Sequence, residues 1–175
     1  MNEKELIILA QKDKEALNTL LTNHHPMVYG FLLQLTHNQE LAKDITQETM
    51  IKAIINLKRF KFKSKFSTWL IAIAINTHKN YLKKNKTIYT TYDDNYVSDF
   101  NLEKCVMTKD DFKRVMEALS QMKDSQKMPF LLKHYYGFSY EEIAVIMKCP
   151  IGTVRSRIHN TIKKLQKSLG GLDEM

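Results

Sequence analysis

The chain has 175 residues, 43% of them hydrophobic, which suits one ordinary domain or two small ones with real cores and excludes global disorder. Five glycines and three prolines argue against a turn-rich sheet fold, and the two isolated cysteines, Cys105 and Cys149, make neither a disulfide framework nor a ligand cluster and suit a reducing cytoplasm. The net charge of +8 is concentrated: the 44 residues between Glu48 and Asp93 hold ten Lys or Arg and no acid, and the 30 between Glu142 and Asp173 hold six and none, which reads as two separate polyanion contacts.

Apolar residues recur at helical spacing from the start: Leu6, Leu9 and Ala10, then Leu17, Leu20 and Leu21, then Phe31, Leu32 and Leu35. Pro26 lies inside or at the edge of the second run and is a candidate kink. Asn38 is a candidate cap for a helix over 39–57. A further helix is predicted over 67–84, with Ser67 as its cap and an apolar side carrying Trp69, Leu70, Ile73, Ala74, Thr77 and Leu82. From 87 to 106 the pattern fails and the text turns polar and acidic, which predicts a linker. Periodicity returns at Asp111, Phe112, Val115, Met116 and Leu119 and runs on through Phe130 and Ile143 to Leu165.

The expected fold is therefore all-α: two small helical domains joined by a flexible linker, with boundaries at 1–86, 87–106 and 107–175. The longest apolar stretch, around Trp69 to Ile75, is too short to span a bilayer. The first residues show no basic region leading into an apolar run, so no secretion signal is expected and the location is cytoplasmic.

Residues 139–158 read SYEEIAVIMKCPIGTVRSRI. Ser139 and Glu142 have capping-box spacing. The helix that follows should turn Ile143, Ala144 and Met147 inward and end near Lys148. Pro150 suits the first position of a new helix, on which Val154 and Ile158 face the core. This is the layout of a helix-turn-helix. Its second helix should expose Thr153, Arg155, Ser156, Arg157, His159, Asn160 and Lys163, with Arg matched to guanine edges and Asn to adenine. His159 is expected to face a groove, since no partner ligand stands at metal-binding spacing.

Between the predicted helices of the first block lies a loop, Phe60 to Phe66, in which Phe60, Phe62 and Phe66 alternate with Lys61, Lys63 and Lys65. Aromatic faces plus cations are what an unpaired base and its phosphates require. Asn76, Thr77, Lys79 and Asn80 follow on one stretch of helix. Asp44, Gln47, Glu48 and Ile51 share another helix face, mixed acidic and apolar, suited to a basic partner helix.

These segments together resemble extracytoplasmic-function sigma factors of bacterial RNA polymerase. FKSKFSTWLIAIAINTHKNYLKKNK looks like their promoter-melting segment, AKDITQETMIKA their clamp-binding helix, SYEEIAVIMKCPIGTVRSRI their minus-thirty-five motif, and LAQKDKEALNTLLTNHHPMVYGF their opening helices. The resemblance implies a factor that binds core polymerase through Asp44, Gln47, Glu48 and Ile51. It implies minus-ten contacts at Phe60, Lys63, Ser64, Lys65, Phe66, Asn76, Thr77, Lys79 and Asn80, with a base flipped into the loop. Minus-thirty-five contacts would come from the second helix of the C-terminal motif. Promoter DNA and core RNA polymerase are then the expected partners, together with an anti-sigma protein, a membrane-anchored one among the expected kinds. Two departures stand out. Relatives usually carry a Gly and an acidic residue where this chain has Phe62 and Lys63, and many carry Arg where this chain has Asn160.

A stand-alone helix-turn-helix regulator would explain the C-terminal motif but not the second acid-free region with its aromatic loop. A nucleic-acid-processing enzyme lacks a carboxylate cluster, a phosphate-cradling Gly loop and a paired Cys/His set, so no catalytic residue, metal, cofactor or small-molecule substrate is expected. His24 and His25 are expected to be surface or packing residues.

Overall fold

The first three helices begin where the sequence supplies a side-chain acceptor for their orphan N–H groups. In the structure, a computed structural model that describes residues 2–85 and 109–170, α1 (Glu3–Ala10) opens with a capping box between Asn2 and Glu5. α2 (Lys14–Thr36) starts on Asp13, whose Oδ1 accepts from the Ala16 N–H at 2.8 Å, and continues through Pro26. Asn38 caps α3 (Gln39–Asn56) as expected, accepting from Leu41 at 2.9 Å. A single 3-10 turn, Leu57–Arg59, ends at the aromatic loop. α4 runs from Phe66 to Lys84; it starts one residue before the predicted cap, so Ser67 lies inside the helix and Lys65 precedes it without a side-chain cap bond.

The chain divides into two units, Met1–Thr91 and Tyr92–Met175, and among the described residues every element is helical. The linker expected at 87–106 lies outside the described residues. In the first unit, α2 packs on α1, α3 and α4, and α3 packs on α4. Leu20, Phe31 and Leu32 of α2, Ile45 of α3 and Phe66, Leu70, Ile71 and Ile75 of α4 form its core. Leu6, Ile7 and Ala10 bury the inner side of α1, whereas Leu9, expected inside from its spacing, is exposed.

The second unit contains α5 (Lys109–Ser120), α6 (Asp124–His134), α7 (Tyr140–Met147) and α8 (Ile151–Leu169). α8 is its hub, packing on α5, α6 and α7. Val115 and Leu119, Met128, Phe130 and Leu131, Ile143 and Ile146, and Val154, Ile158 and Leu165 meet in one core. Gly170, at a φ of 63°, ends α8 in the left-handed conformation that glycine adopts without steric cost.

Candidate nucleic-acid interface and partner face

The helix-turn-helix forms from local chemistry. The Ser139 N–H donates to Glu142 Oε2 at 2.8 Å and Ser139 Oγ accepts from the Glu142 N–H at 3.1 Å, the reciprocal pair the spacing predicts. α7 stops at Lys148, whose φ of 51° reverses the chain, and the Cys149 N–H closes the turn on the Ala144 carbonyl at 3.1 Å. Pro150 caps α8 from the position before its first residue rather than from inside it; its carbonyl accepts from Thr153 at 2.9 Å and Val154 at 3.2 Å.

With Val154, Ile158, Thr161 and Leu165 buried, α8 turns Gly152, Arg155, Ser156, His159, Asn160 and Lys163 to solvent as one stripe. Thr153 and Arg157 are half-buried beside that stripe, Arg157 reaching Cys149 Sγ at 4.0 Å. Arg155 is not loose. Its guanidinium lies 5.5 Å from the ring centroid of Tyr140, which Lys133 also approaches at 4.6 Å. Glu141 next to them has its carboxyl held below the usual range, first by a hydrogen bond from its own backbone, then by Ser139, Arg155 and Lys133.

In the first unit the loop is built on an aromatic cluster. Phe60 meets Phe66 edge-on at 5.7 Å and Trp69 at 5.3 Å, Phe66 meets Trp69 at 5.4 Å, and His24 of α2 lies 4.9 Å from Phe66. His24 Nε2 is 3.2 Å from Glu3, and burial lowers its pKa although that carboxylate opposes the shift. Lys61, Phe62, Lys63 and Lys65 are exposed on the rim and Ser64 is half-buried. α4 then presents Asn76, Lys79 and Asn80 outward, and Lys83 and Lys84 continue the same side.

α3 exposes Asp44, Gln47, Glu48 and Ile51 together. Glu48 is engaged: Lys52 Nζ lies 2.6 Å from it and donates to Thr77 Oγ1 on α4 at 3.1 Å. The apolar part of the face extends beyond Ile51 to Ile54 and Ile55, the last 70% exposed.

The family model of sigma-70 region 2 matches residues 20–88, and that of sigma-70 region 4 matches 112–165. The chain is 32% identical to the RNA polymerase sigma-H factor of Pseudomonas aeruginosa over 95% of this chain and 93% of that protein. It is also 32% identical to the ECF RNA polymerase sigma-E factor of Haemophilus influenzae, over 91% of this chain and 90% of the relative. The chain belongs to the ECF sigma factors. The fold agrees with a solved sigma factor from Bartonella quintana, crystallised with the anti-sigma factor NepR, at TM-score 0.72 and 24% identity over 90% of this chain and 98% of that one. It agrees also with CnrH, solved with the cytosolic domain of CnrY, at TM-score 0.71 and 19% identity over 95% and 96% of the two chains. Sigma factors direct RNA polymerase to promoters and are not enzymes.

The structure corrects the sequence reading of this sigma factor at three positions. Phe60 and Phe66 are 6% and 1% exposed, because their rings fill the cluster with Trp69, and neither offers a face to a base. Thr77 is 1% exposed, turned to α3 where it receives Lys52. Leu70, Ala74 and Thr77 stand at i, i+4 and i+7, and that buried stripe was the signal that Thr77 points inward. Trp69 is half-buried and Leu70 fully buried, as expected of core. Sequence reading missed Ile54, Ile55, Lys83, Lys84 and the Tyr140 platform. The first four continue exposed helical stripes and could have been found by extending them. No helix among the described residues is long and apolar enough to cross a membrane, and no group of His, Cys, Asp or Glu among them could hold a metal ion.

Proposed function

We propose how this sigma factor divides its work between its two units. The first binds core polymerase through Asp44, Gln47, Glu48 and Ile51, with Ile54 and Ile55 added. It melts and reads the minus-ten element with Lys63, Ser64, Lys65, Asn76, Lys79 and Asn80. The second reads the duplex minus-thirty-five element with Arg155, Ser156, His159 and Asn160, while Lys163 binds phosphate and Thr153 and Arg157 flank the contact. The factor works in the cytoplasm, contributes no catalysis, and is held inactive by an anti-sigma protein, a reading supported by the solved Bartonella quintana sigma factor, which was crystallised in complex with an anti-sigma factor.

The observation that carries this reading is the acid-free polar stripe of α8. It sits opposite the buried side of Val154, Ile158, Thr161 and Leu165, at the end of a capped helix-turn-helix. Arg155 and Asn160 supply base-edge hydrogen bonds, and the exposed first turn supplies N–H groups for a phosphate. An acid-free second stripe on α4 separates this from a stand-alone regulator, which has no use for it.

The test is reconstitution with core RNA polymerase, followed by sequencing of transcript starts and gel shifts with the chain alone. The reading expects defined starts with a shared upstream element, and tight duplex binding only with polymerase. Specific high-affinity duplex binding by the chain alone, with no effect on start sites, would favour the regulator.

A further inference from the structure

We propose that Tyr140 is a positioning residue for promoter reading: its ring holds the Arg155 guanidinium in the pose that meets a base edge, and so sets how sharply one base pair of the upstream element is recognised. The inference rests on the duplex reading proposed above, in which Arg155 makes that contact.

An arginine on a helix surface gives up much rotamer freedom when it docks on a base. Arg155 is exposed, yet its guanidinium lies 5.5 Å from the centroid of the Tyr140 ring, within reach of a cation–π attraction. The free chain has thus already restricted the side chain that is to bind.

The ring is itself held. Tyr140 is the first residue of α7, directly after Ser139, whose capping pair with Glu142 sets the helix start. The Ile143 N–H donates to the Ser139 carbonyl at 2.9 Å, and Ile143 is fully buried, which anchors the first turn of α7 on the core. From α6, the Lys133 ammonium lies 4.6 Å from the same ring centroid. Three helices therefore converge on one half-buried ring. Two cations at one ring repel each other, and the carboxylate of Glu141, next along α7, attracts both. A reading side chain supported from a second element is what precise geometry at a site requires. A bidentate arginine contact with a base depends on angle as well as distance, so a guanidinium freed from its support should lose discrimination rather than affinity for DNA at large.

The experiment measures holoenzyme affinity for single-base variants of the upstream element at two salt concentrations. The chains compared are wild type, Arg155→Ala, Tyr140→Leu, Tyr140→Met, Tyr140→Phe and the double variant Arg155→Ala with Tyr140→Leu. Arg155→Ala identifies the base pair that Arg155 reads. Tyr140→Leu and Tyr140→Met should lower discrimination at that pair about two- to fivefold, the size of one exposed cation–π contact, with the salt dependence unchanged. Tyr140→Phe keeps the ring and removes the hydroxyl, and should match wild type. In the Arg155→Ala chain, Tyr140→Leu should cost no further discrimination at that pair. A circular-dichroism melt of each variant shows which of the leucine and methionine chains keeps the wild-type fold and is to be read. Unchanged discrimination in that chain, while Arg155→Ala relaxes it, overturns the role of Tyr140 and leaves the reading by Arg155 intact. So does an equal loss with and without Arg155, or a Tyr140→Phe chain as impaired as the leucine one. Unchanged preference in Arg155→Ala overturns the reading by Arg155 and the inference with it.

Discussion

Ile55 offers a direct test of the proposed polymerase-binding face, because it is 70% exposed in the isolated chain. Ile55→Ala removes three carbons, worth about 0.8 kcal/mol each when buried, so full burial of the exposed part against a partner is worth about 1.7 kcal/mol. Affinity for core polymerase should then fall by about fifteen- to twentyfold. Ile51→Ala and Ile54→Ala, with 50% and 44% of the residue exposed, should follow in that order with smaller losses. Alanine is the better helix former, so the melting temperature should hold or rise slightly. The assay is a fluorescence titration of labelled core polymerase, paired with a circular-dichroism melt of each variant. Wild-type affinity in both Ile55→Ala and Ile51→Ala would refute the assignment of this face. A fall in melting temperature would show instead that the isoleucines support the fold.

Arg155→Ala should relax preference at one or two base pairs of the upstream element, a bidentate contact discriminating by about 1–3 kcal/mol, while Lys163→Ala should weaken all sequences alike and flatten the salt dependence by about one unit; a panel of single-base promoter variants at several salt concentrations checks both. At Gly152 an added Cβ meets no protein atom, so Gly152→Ala should leave the fold intact or stabilise it by up to about 1 kcal/mol. The same variant should lose promoter binding if the first turn of α8 closes on a phosphate, and unchanged binding in a gel shift with holoenzyme would place the phosphate elsewhere. Thr77→Val should cost about 0.5–1.5 kcal/mol of stability through the lost acceptor for Lys52. It should leave binding to a pre-opened promoter unchanged; a selective binding loss at normal stability would restore Thr77 as a DNA contact. His24 has a folded pKa lowered from 6.5 by burial, so the native state binds this proton less readily than the unfolded chain. Stability from this residue is complete above pH 6.5 and falls as pH drops below it, levelling once the folded form is also protonated. His24→Gln should flatten that decline in melts taken across the range.

Helix ends and the turn of the C-terminal motif were legible because their causes are local. Asn38 and the Ser139–Glu142 box satisfy N–H groups within three residues, so spacing alone places them. Ser67 was misplaced for the opposite reason: the Phe66 ring packs on Phe60, Trp69 and His24, and that tertiary contact draws Phe66 into the helix ahead of any cap. The alternation of Phe and Lys in the loop was visible, but it cannot say which ring is core and which is open. Phe60 and Phe66 flank the loop and point at the packed helices, while Phe62 lies at its middle on a backbone angle that no sequence pattern for phenylalanine would suggest. Tyr140 was invisible as a platform because its partners Lys133 and Arg155 come from α6 and α8.

In the first unit Lys52 is shared between the helices that carry the two proposed faces. α3 carries the proposed polymerase face and α4 the proposed single-strand face, and the helices pack directly on each other. Lys52 stands on α3, yet its ammonium is shared between Glu48 on its own helix and Thr77 on α4. Glu48 is only half-exposed as a carboxylate and already carries a cation, so it brings less net charge to a basic partner than Asp44 does. Through Lys52 it is also linked to Thr77, which adds a polar tie to the packing of α3 on α4. That packing sets where Asn76, Lys79 and Asn80 stand relative to the proposed polymerase face of Asp44, Ile51 and Ile55. A site assembled on rigid helices keeps its geometry when one helix is gripped by a partner. The two functions can be coupled through packing alone, without a conformational change inside the unit.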